Sequence, residues 1–405
     1  MSAPAIDTLK LSACIHCGLC LEACPTYRET GEEMSGPRGR LYLMRNYVEG
    51  KIEASDPAFA LHEGTCLVCR ACETACPSGV EFGVLMEQTR AILPKKHNFF
   101  SRFIYERLLP SRTLLRIGHT LTAIVSKLGL TRVARKTFPP DSKFGAALSL
   151  LPQNIDFPAS RQNLYRSSNP NGKRIGLLLG CVGDVFTQNV NTATINVLNA
   201  LGYDVDTMPS VTCCGALAAH AGHVDITKDL AQENLRTFAD INIDYIISNI
   251  AGCGAMLKEY ETLIGNTNAA VAKSKIFDIN EFLYRFHSND LKLSNIFAGK
   301  RITYQAPCHL THGQRVVDAP LALLQLLPGA TAFALEENLL CCGSAGSYNI
   351  EHPEMAEALR KRKMELIVEA KPDIVATANA GCMLQLSKEN PIPVRHVIEL
   401  IAEAL

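Results

Sequence analysis

The hydrophobic and polar positions of residues 173–405 follow one pattern twice. An apolar, β-rich run such as RIGLLLGC or RITYQAPC comes first, an amphipathic helical stretch follows, and a second β-rich run leads to a Cys-Cys-Gly triplet. A charged helical stretch and a third apolar run that stops at Gly-Cys complete each copy, and matching segments lie 127 to 129 residues apart. Each copy therefore predicts strand, helix, strand, helix, strand, the pattern of a small parallel α/β unit.

The cysteines of both copies fall at or just after the predicted carboxyl ends of strands, where open α/β sheets build their sites. Four thiols that converge there can hold an iron-sulfur cluster or act as a redox-active dithiol, and four small buried residues are the plain alternative. This candidate cluster or redox site comprises Cys181, Cys213, Cys214 and Cys253 in the first copy and Cys308, Cys341, Cys342 and Cys382 in the second.

Two histidines follow Cys308 directly in the run CHLTH. His309 and His312 are candidates to hydrogen-bond a cluster or a quinone, or to supply a proton. Histidines that are simply satisfied within a loop are the alternative.

A second, shorter repeat lies near the N-terminus. The run CIHCGLCLEACP begins at residue 14, and CLVCRACETACP begins 52 residues later. Both have the form C-x2-C-x2-C-x3-C-P, in which three cysteines bind one [4Fe-4S] cluster and the fourth binds the other cluster of a pair. Zinc is the alternative for soft thiolates, although tandem zinc sites usually use two separated C-x2-C pairs. We therefore expect one cluster on Cys14, Cys17, Cys20 and Cys76 and a second on Cys66, Cys69, Cys72 and Cys24.

The stretch GPRGR places Arg38 and Arg40 near this domain. These two cations are candidates to tune a cluster potential or to bind a partner, and a plain surface role is the alternative.

The composition of the chain indicates where the protein is found and which partners are not expected. The chain has 405 residues, 47% of them hydrophobic and 20% charged, and its zero formal net charge gives no reason to expect a nucleic-acid partner. We see neither a secretory signal nor an apolar stretch near the ~18 to 20 residues of a membrane span. We therefore expect a cytoplasmic protein, in which cysteines serve metal or redox chemistry rather than disulfides.

The sequence shows no phosphate loop, G-x-G-x-x-G fingerprint or nucleophile elbow, so we expect no flavin on this chain.

Residues 94–136 are strongly basic, with ten Lys or Arg and a single acid, Glu106. Pro110 is expected to interrupt the stretch, giving two amphipathic helices. Such helices suit an anionic membrane surface or an acidic partner subunit, and a solvated basic face packed on its own protein is the alternative.

These patterns predict a mixed α+β and α/β fold. An N-terminal helical, ferredoxin-like two-cluster domain precedes two repeated small parallel α/β cysteine-rich units. The predicted parts are the two-cluster domain 1–93, the basic helical segment 94–151, a linker 152–172, the first Cys-Cys-Gly unit 173–290 and the second Cys-Cys-Gly unit 291–405.

The order of motifs resembles that of a known family. That family includes the iron-sulfur subunits of glycolate oxidase and of anaerobic glycerol-3-phosphate dehydrogenase, lactate-utilisation subunits and the catalytic subunits of heterodisulfide reductase. The resemblance covers essentially the whole chain. The runs most like the glycolate oxidase subunit are ACIHCGLCLEACPTY, GPRGRLYLM, CLVCRACETACPSGV and LLCCGSAGSYNI.

The resemblance implies an oxidoreductase subunit that transfers electrons and leaves substrate oxidation to another chain. A separate FAD-containing subunit would oxidise glycolate to glyoxylate, and often D-lactate as well, and this chain would carry electrons one at a time toward membrane quinone. The resemblance further implies peripheral attachment to the inner face of the cell membrane.

The sequence departs from the heterodisulfide reductase branch at two positions. Units of that branch end in C-x2-C, whereas Met256 and Gln385 stand three residues after Cys253 and Cys382 here. The unusual noncubane cluster of those enzymes is therefore not carried over, and a four-cysteine cluster or one completed by another ligand stays open. The alternative functions are a lactate or glycerol-3-phosphate dehydrogenase complex, a thiol-disulfide reductase acting at a Cys-Cys-Gly unit, and an interaction scaffold that binds zinc.

Overall fold

The N-terminal domain consists of short helices that leave the cysteine motifs in the loops around them. The structure, a computed structural model, describes residues 6–94, 102–152 and 155–405. Pro25, Pro37 and Pro57 each stand at the start of a helix, where the missing backbone N–H has no intrahelical partner to lose. The helices are Thr8–Ser12, Pro25–Thr30, Pro37–Val48, Pro57–Gly64, Ala71–Thr74 and Phe82–Ile92, with a 3₁₀ turn at Glu33–Ser35.

The basic segment forms more helices than the two that the sequence predicts. A π-helical turn, Ile104–Leu108, ends before Pro110 as expected, but Gly129 adopts a left-handed conformation (φ +76°) and breaks the stretch again. The helices that follow the π turn are Arg112–Lys127, Leu130–Thr137 and Lys143–Leu150. Residues 95–101 of the predicted segment lie outside the described residues.

The first Cys-Cys-Gly unit contains a five-stranded sheet in the order β1-β3-β2-β4-β5. Its strands are β1 (Leu164–Tyr165), β2 (Arg174–Leu178), β3 (Asp204–Asp206), β4 (Tyr245–Ser248) and β5 (Ile276–Asp278). All neighbours pair in parallel except β1, which joins β3 antiparallel. The helices are Gly183–Phe186, Gln188–Ala200, Ala216–His220, Val224–Asp240, Ala251–Ile264, Thr267–Lys275 and Ile279–His287.

The second Cys-Cys-Gly unit repeats this topology with a four-stranded parallel sheet in the order β7-β6-β8-β9. Its strands are β6 (Arg301–Gln305), β7 (Thr331–Ala334), β8 (Ile374–Thr377) and β9 (Val394–His396). The helices are Ala319–Gln325, Tyr348–Glu351, Pro353–Glu369, Ala380–Ser387 and Val397–Ala404, with a π-helical turn at His309–Gly313.

Each unit has one parallel strand more than the sequence predicts. β5 and β9 have three residues each, too few for a period-two pattern to stand out. β1 lies within the stretch that looks like a linker, and it covers the β3 edge of the first sheet.

The two Cys-Cys-Gly units share one apolar core. Helix Gln188–Ala200 of the first unit packs on Val397–Ala404 of the second, and Ile279–His287 packs reciprocally on Ala319–Gln325. One buried hydrophobic cluster runs through all four of these helices. The helix after the first parallel strand of each unit thus packs on the last helix of the other unit. The two units are therefore related by a local two-fold axis.

Candidate functional site

The first four predicted ligands, which we call the outer set, line one small cavity in the N-terminal domain. They are Cys14, Cys17, Cys20 and Cys76. Gly18 turns the loop in a left-handed conformation (φ +85°), which a side chain would strain. Burial raises the pKa of the Cys20 thiol to about 11, so a cation such as iron is needed to hold it as a thiolate at neutral pH.

The other four predicted ligands, which we call the inner set, line a second cavity and are buried or nearly so. They are Cys24, Cys66, Cys69 and Cys72. Arg40 lines the same cavity with 1% of its surface exposed, and its guanidinium donates to Cys24 Sγ at 3.9 Å and to Thr26 Oγ1 at 3.1 Å. A buried cation at this position stabilises the negative charge of thiolates. Arg38 has a different environment: it pairs with Glu33 at 2.6 Å and lines the outer cavity.

The two motifs exchange their fourth cysteines in the folded chain. Cys24 belongs to the first motif but lies with Cys66 and Cys69, whereas Cys76 of the second motif lies with Cys14. This arrangement suits two neighbouring clusters, each completed by the other motif. The assignment of individual ligands stays a prediction.

In the first Cys-Cys-Gly unit, four cysteines meet at the carboxyl edge of the sheet, and we call them the first cavity set. Cys181 follows β2, Cys213 and Cys214 follow β3, and Cys253 lies in the first turn of the helix after β4. The thiols of Cys181 and Cys213 are hydrogen-bonded to each other, as are those of Cys214 and Cys253. Cys253 thus lies within a helix that begins at Ala251, whereas the sequence indicates a strand that runs up to this cysteine.

The second unit repeats the arrangement with Cys308 after β6, Cys341 and Cys342 after β7, and Cys382 in the first turn after β8. We call these four the second cavity set. Their thiols are hydrogen-bonded in series from Cys308 through Cys341 and Cys342 to Cys382. Asn379 Nδ2 also donates to Cys382 Sγ at 3.3 Å.

Both cavity sets line one cavity of about 1160 Å³. The sequence predicts two separate sets, and the local two-fold packing of the units is what brings them to a common space. Tyr105, Leu109 and Leu150 of the basic helical segment form part of the wall. This volume lies slightly above the range usual for small-molecule pockets, so the cavity has room for an organic ligand beside the sulfur atoms.

The two predicted histidines take different positions. His309 lines the cavity with Nδ1 3.4 Å from Cys308 Sγ, and its ring lies 5.1 Å from that of His220. His312 is buried and bonds through Nδ1 to Thr74 Oγ1 of the N-terminal domain at 2.8 Å. Burial lowers the pKa of His220 and of His312, which favours neutral imidazoles. His312 therefore joins two domains, while His309 faces the cysteines.

The inner set contacts the second cavity set. Cys69, Cys308 and Cys341 belong to one buried cluster, together with Leu67 and Tyr348. Cys72 lines both small cavities, so the cysteines form a continuous series that begins at the partly exposed outer set, passes through the inner set and ends at the large cavity.

Three further buried residues with polar groups lie near the cysteines and belong to no sequence motif: Lys363, Glu63 and Tyr260. Glu63 and Tyr260 carry no repeat or motif signal. Lys363 occupies the position that Asn234 has in the first unit. Aligning the two charged helices residue by residue reveals this difference in the sequence.

The sulfur atoms fit iron-sulfur clusters better than a single ion. All sixteen cysteines are free of disulfides, and soft thiolates are the ligands that such clusters use. No three His, Cys, Asp or Glu side chains in the described ranges close around a point that one metal ion would occupy. The ligands of a cluster bind separate iron atoms and need not meet at one point.

Within residues 6–94, 102–152 and 155–405, no helix is both long enough and apolar enough to cross a membrane.

Family comparisons match both halves of the chain. A model described as a 4Fe-4S dicluster domain matches residues 10–80, and a model described as a cysteine-rich domain matches twice, at residues 175–258 and 302–387. The fold and these matches define an iron-sulfur subunit of an oxidoreductase, whose part in the reaction is electron transfer.

Curated relatives match the chain over most of its length. A probable glycolate oxidase iron-sulfur subunit of Bacillus subtilis (strain 168) is 34% identical, covering 94% of this chain and 89% of that protein. The glycolate oxidase iron-sulfur subunit of Escherichia coli (strain K12) is 32% identical, covering 98% and 94%. One subunit of the fumarate reductase (CoM/CoB) of Methanothermobacter marburgensis is 29% identical, covering 98% and 72%. This chain belongs to the family of glycolate oxidase iron-sulfur subunits.

Proposed function

We propose that this chain relays electrons from a separate FAD-containing subunit, which oxidises glycolate to glyoxylate and also accepts D-lactate, toward quinone at the inner face of the cell membrane. The observation that carries the proposal is the continuous series of cysteine sets from the protein surface to the large cavity. A flavin releases two electrons, and iron-sulfur clusters, when bound, supply the single-electron chemistry that follows.

In this proposal the outer set holds one [4Fe-4S] cluster and the inner set holds the other. Cys17 is exposed, so the outer set lies where a flavin partner can approach. The buried guanidinium of Arg40 balances charge at the inner set. The two cavity sets hold one or two further clusters, and His309 is the residue placed to hydrogen-bond them.

The basic helical segment is the proposed membrane contact. Exposed apolar side chains run along helices Arg112–Lys127 and Leu130–Thr137, and exposed cations flank them. The apolar residues are Leu114, Ile117, Leu121, Leu128, Leu130 and Val133, and the cations are Lys127, Arg132 and Lys136. This combination suits an anionic lipid surface. Leu109 and Leu150, which lie in the same segment on either side of these two helices, line the large cavity, so a quinone would reach the cavity from the membrane.

The large cavity favours one second candidate, a thiol-disulfide reductase. Eight cysteines and an apolar wall offer space for an organic disulfide. This candidate predicts turnover of disulfides by the isolated chain, whereas the electron relay requires the flavin partner.

The test is an anaerobic purification of the complex, with iron and sulfide analysis and EPR spectra after addition of substrate. We expect more than the ~8 irons of two cubane clusters, and we expect glycolate and D-lactate to reduce the EPR-active centres. Reduction by glycerol 3-phosphate instead would assign the chain to that dehydrogenase. Disulfide turnover without a flavin subunit would favour the second candidate.

A further inference from the structure

The helix behind each Cys-Cys-Gly loop carries a different residue at the same buried position. Helices Val224–Asp240 and Pro353–Glu369 have equal length, and both of their ends are displaced by 129 residues. Asn234 of the first helix therefore corresponds to Lys363 of the second. Both side chains are buried, with exposures of 3% and 2%. The first unit thus has a neutral amide where the second has an amine.

The two side chains bind backbone carbonyls beside their own cysteine pairs. Asn234 Nδ2 donates to the carbonyl of Cys213 at 2.9 Å. Lys363 Nζ donates to the carbonyls of Glu337 and Asn338 at 3.3 and 3.1 Å, in the loop that leads to Cys341. Lys363 and Cys341 also line one small cavity.

The ammonium group of Lys363 forms no hydrogen bond to a carboxylate within the described part of the chain. Its amine forms no ion pair with any Asp or Glu that the structure describes, and its hydrogen bonds go to neutral carbonyls. A buried, unpaired cation is costly unless a negative group lies nearby. Lys363 Nζ donates to two carbonyls, which can only accept, and a lysine side chain at neutral pH is ordinarily an ammonium group. The buried groups near this positive charge are the four sulfur atoms of the second cavity set, so negative charge that develops there is stabilised.

Two further groups favour negative charge at the second set and are missing from the first. Asn379 donates to Cys382 Sγ, and its counterpart at the start of the equivalent helix is Ile250. His309 lies 3.4 Å from Cys308 Sγ, and the residue that follows Cys181 is Val182. Hydrogen bonds to sulfur and local charge both set the potential of sulfur-ligated centres.

We propose that the two Cys-Cys-Gly units are not equivalent: the second is the more easily reduced, and the positive charge of Lys363 is the main cause. This inference rests on the proposed function, because it requires an iron-sulfur centre at the second cavity set. When that set gains one electron, its charge becomes one unit more negative, no bond forms or breaks and no proton is needed. The electron comes from the N-terminal domain, whose Cys69 lies in one buried cluster with Cys308 and Cys341.

The test is an EPR-monitored redox titration of the intact chain purified without oxygen. Lys363→Met removes the charge at similar length, and Lys363→Asn introduces the residue that the first unit has at this position. We expect both variants to lower the ratio of reduced to oxidised second-unit centre at least tenfold at a fixed potential, a shift of about 59 mV for a one-electron couple. The second-unit signal is identified by its loss in Cys342→Ser.

Lys388→Met is the matched control. Lys388 belongs to the same unit but pairs with Glu357 at 3.0 Å, so its removal should leave the midpoint unchanged. The signals of the N-terminal clusters report folding in every sample.

A second-unit signal whose midpoint moves no further in Lys363→Met than in Lys388→Met would overturn the inference while leaving the electron relay standing. If the wild-type chain holds only about eight irons and shows no signal sensitive to Cys342→Ser, the cluster proposal for the cavity fails as well.

Discussion

Tyr348 Oη donates a hydrogen bond of 3.0 Å to the main-chain carbonyl of Thr65, the residue directly before Cys66. Tyr348 follows the Cys-Cys-Gly triplet of the second unit and is itself buried. One hydrogen bond therefore ties the loop of the second cavity set to the loop of the inner set. A salt bridge between Arg28 and Glu337 at 2.9 Å supports the same interface from its exposed side.

Tyr348→Phe should loosen this interface while keeping the aromatic ring. We expect the free energy of unfolding to fall by about 1 to 2 kcal/mol, because a partly buried carbonyl loses its partner. Chemical denaturation of the cluster-loaded chain measures this change. Tyr284→Phe is the control, since Tyr284 is exposed, and it should change stability by less than about 0.5 kcal/mol. Equal effects of the two substitutions would contradict the proposed importance of this bond.

Glu63 should make the stability of the protein depend on pH. Its carboxyl group is fully buried without a hydrogen-bond partner in the described structure, and burial raises its pKa from 4.5 to about 8. At any pH between these two pKa values, the carboxyl group takes up a proton when the chain folds. The free energy of unfolding therefore falls as the pH rises through this range, by a few kcal/mol in all.

Glu63→Gln should remove this slope and make the variant the more stable protein near pH 8. Denaturant titrations between pH 5 and 8 test the prediction, with Glu49→Gln as a control at an exposed carboxylate. A wild-type slope that survives in Glu63→Gln would show that another group is responsible.

Leu121→Asp should weaken binding to membranes if the basic helical segment is the contact. Leu121 is 58% exposed on helix Arg112–Lys127, and Leu61 of the N-terminal domain is a matched control at 59%. The substitution removes a leucine that would insert into the lipid, and it adds a negative charge that anionic lipids repel. It should therefore reduce the affinity for anionic vesicles at least tenfold, as measured by co-sedimentation. Leu61→Asp should bind like the wild type. Equal binding by all three proteins would exclude this helix as the membrane contact.

The exchange of the fourth cysteines predicts which substitutions share a phenotype. Cys76→Ser should give the same EPR spectrum as Cys14→Ser, and Cys24→Ser should give the same spectrum as Cys66→Ser. Each substitution should cost about four irons when its cluster is lost. The opposite pairing, with Cys76→Ser resembling Cys66→Ser, would mean that each motif binds its own cluster.

Much of this architecture could be predicted because it is local. The cysteine spacing indicates the N-terminal clusters, and the strand pattern that ends at Cys181 and Cys308 indicates the parallel units and the edge on which their thiols lie. The common cavity could not be predicted, because it depends on the packing of Gln188–Ala200 against Val397–Ala404, two helices far apart in sequence. Lys363 looks like an ordinary member of a charged helix, and only the folded structure shows that it is buried.

The reciprocal packing of the two Cys-Cys-Gly units makes this half of the chain equivalent to a homodimer whose protomers have been fused. In a true homodimer every substitution appears on both sides of the symmetry axis, so two facing redox sites must remain identical. The fused arrangement fixes the stoichiometry at one to one and also lets each half change alone. A lysine on one side of the axis and an asparagine on the other are possible here and are excluded in a homodimer.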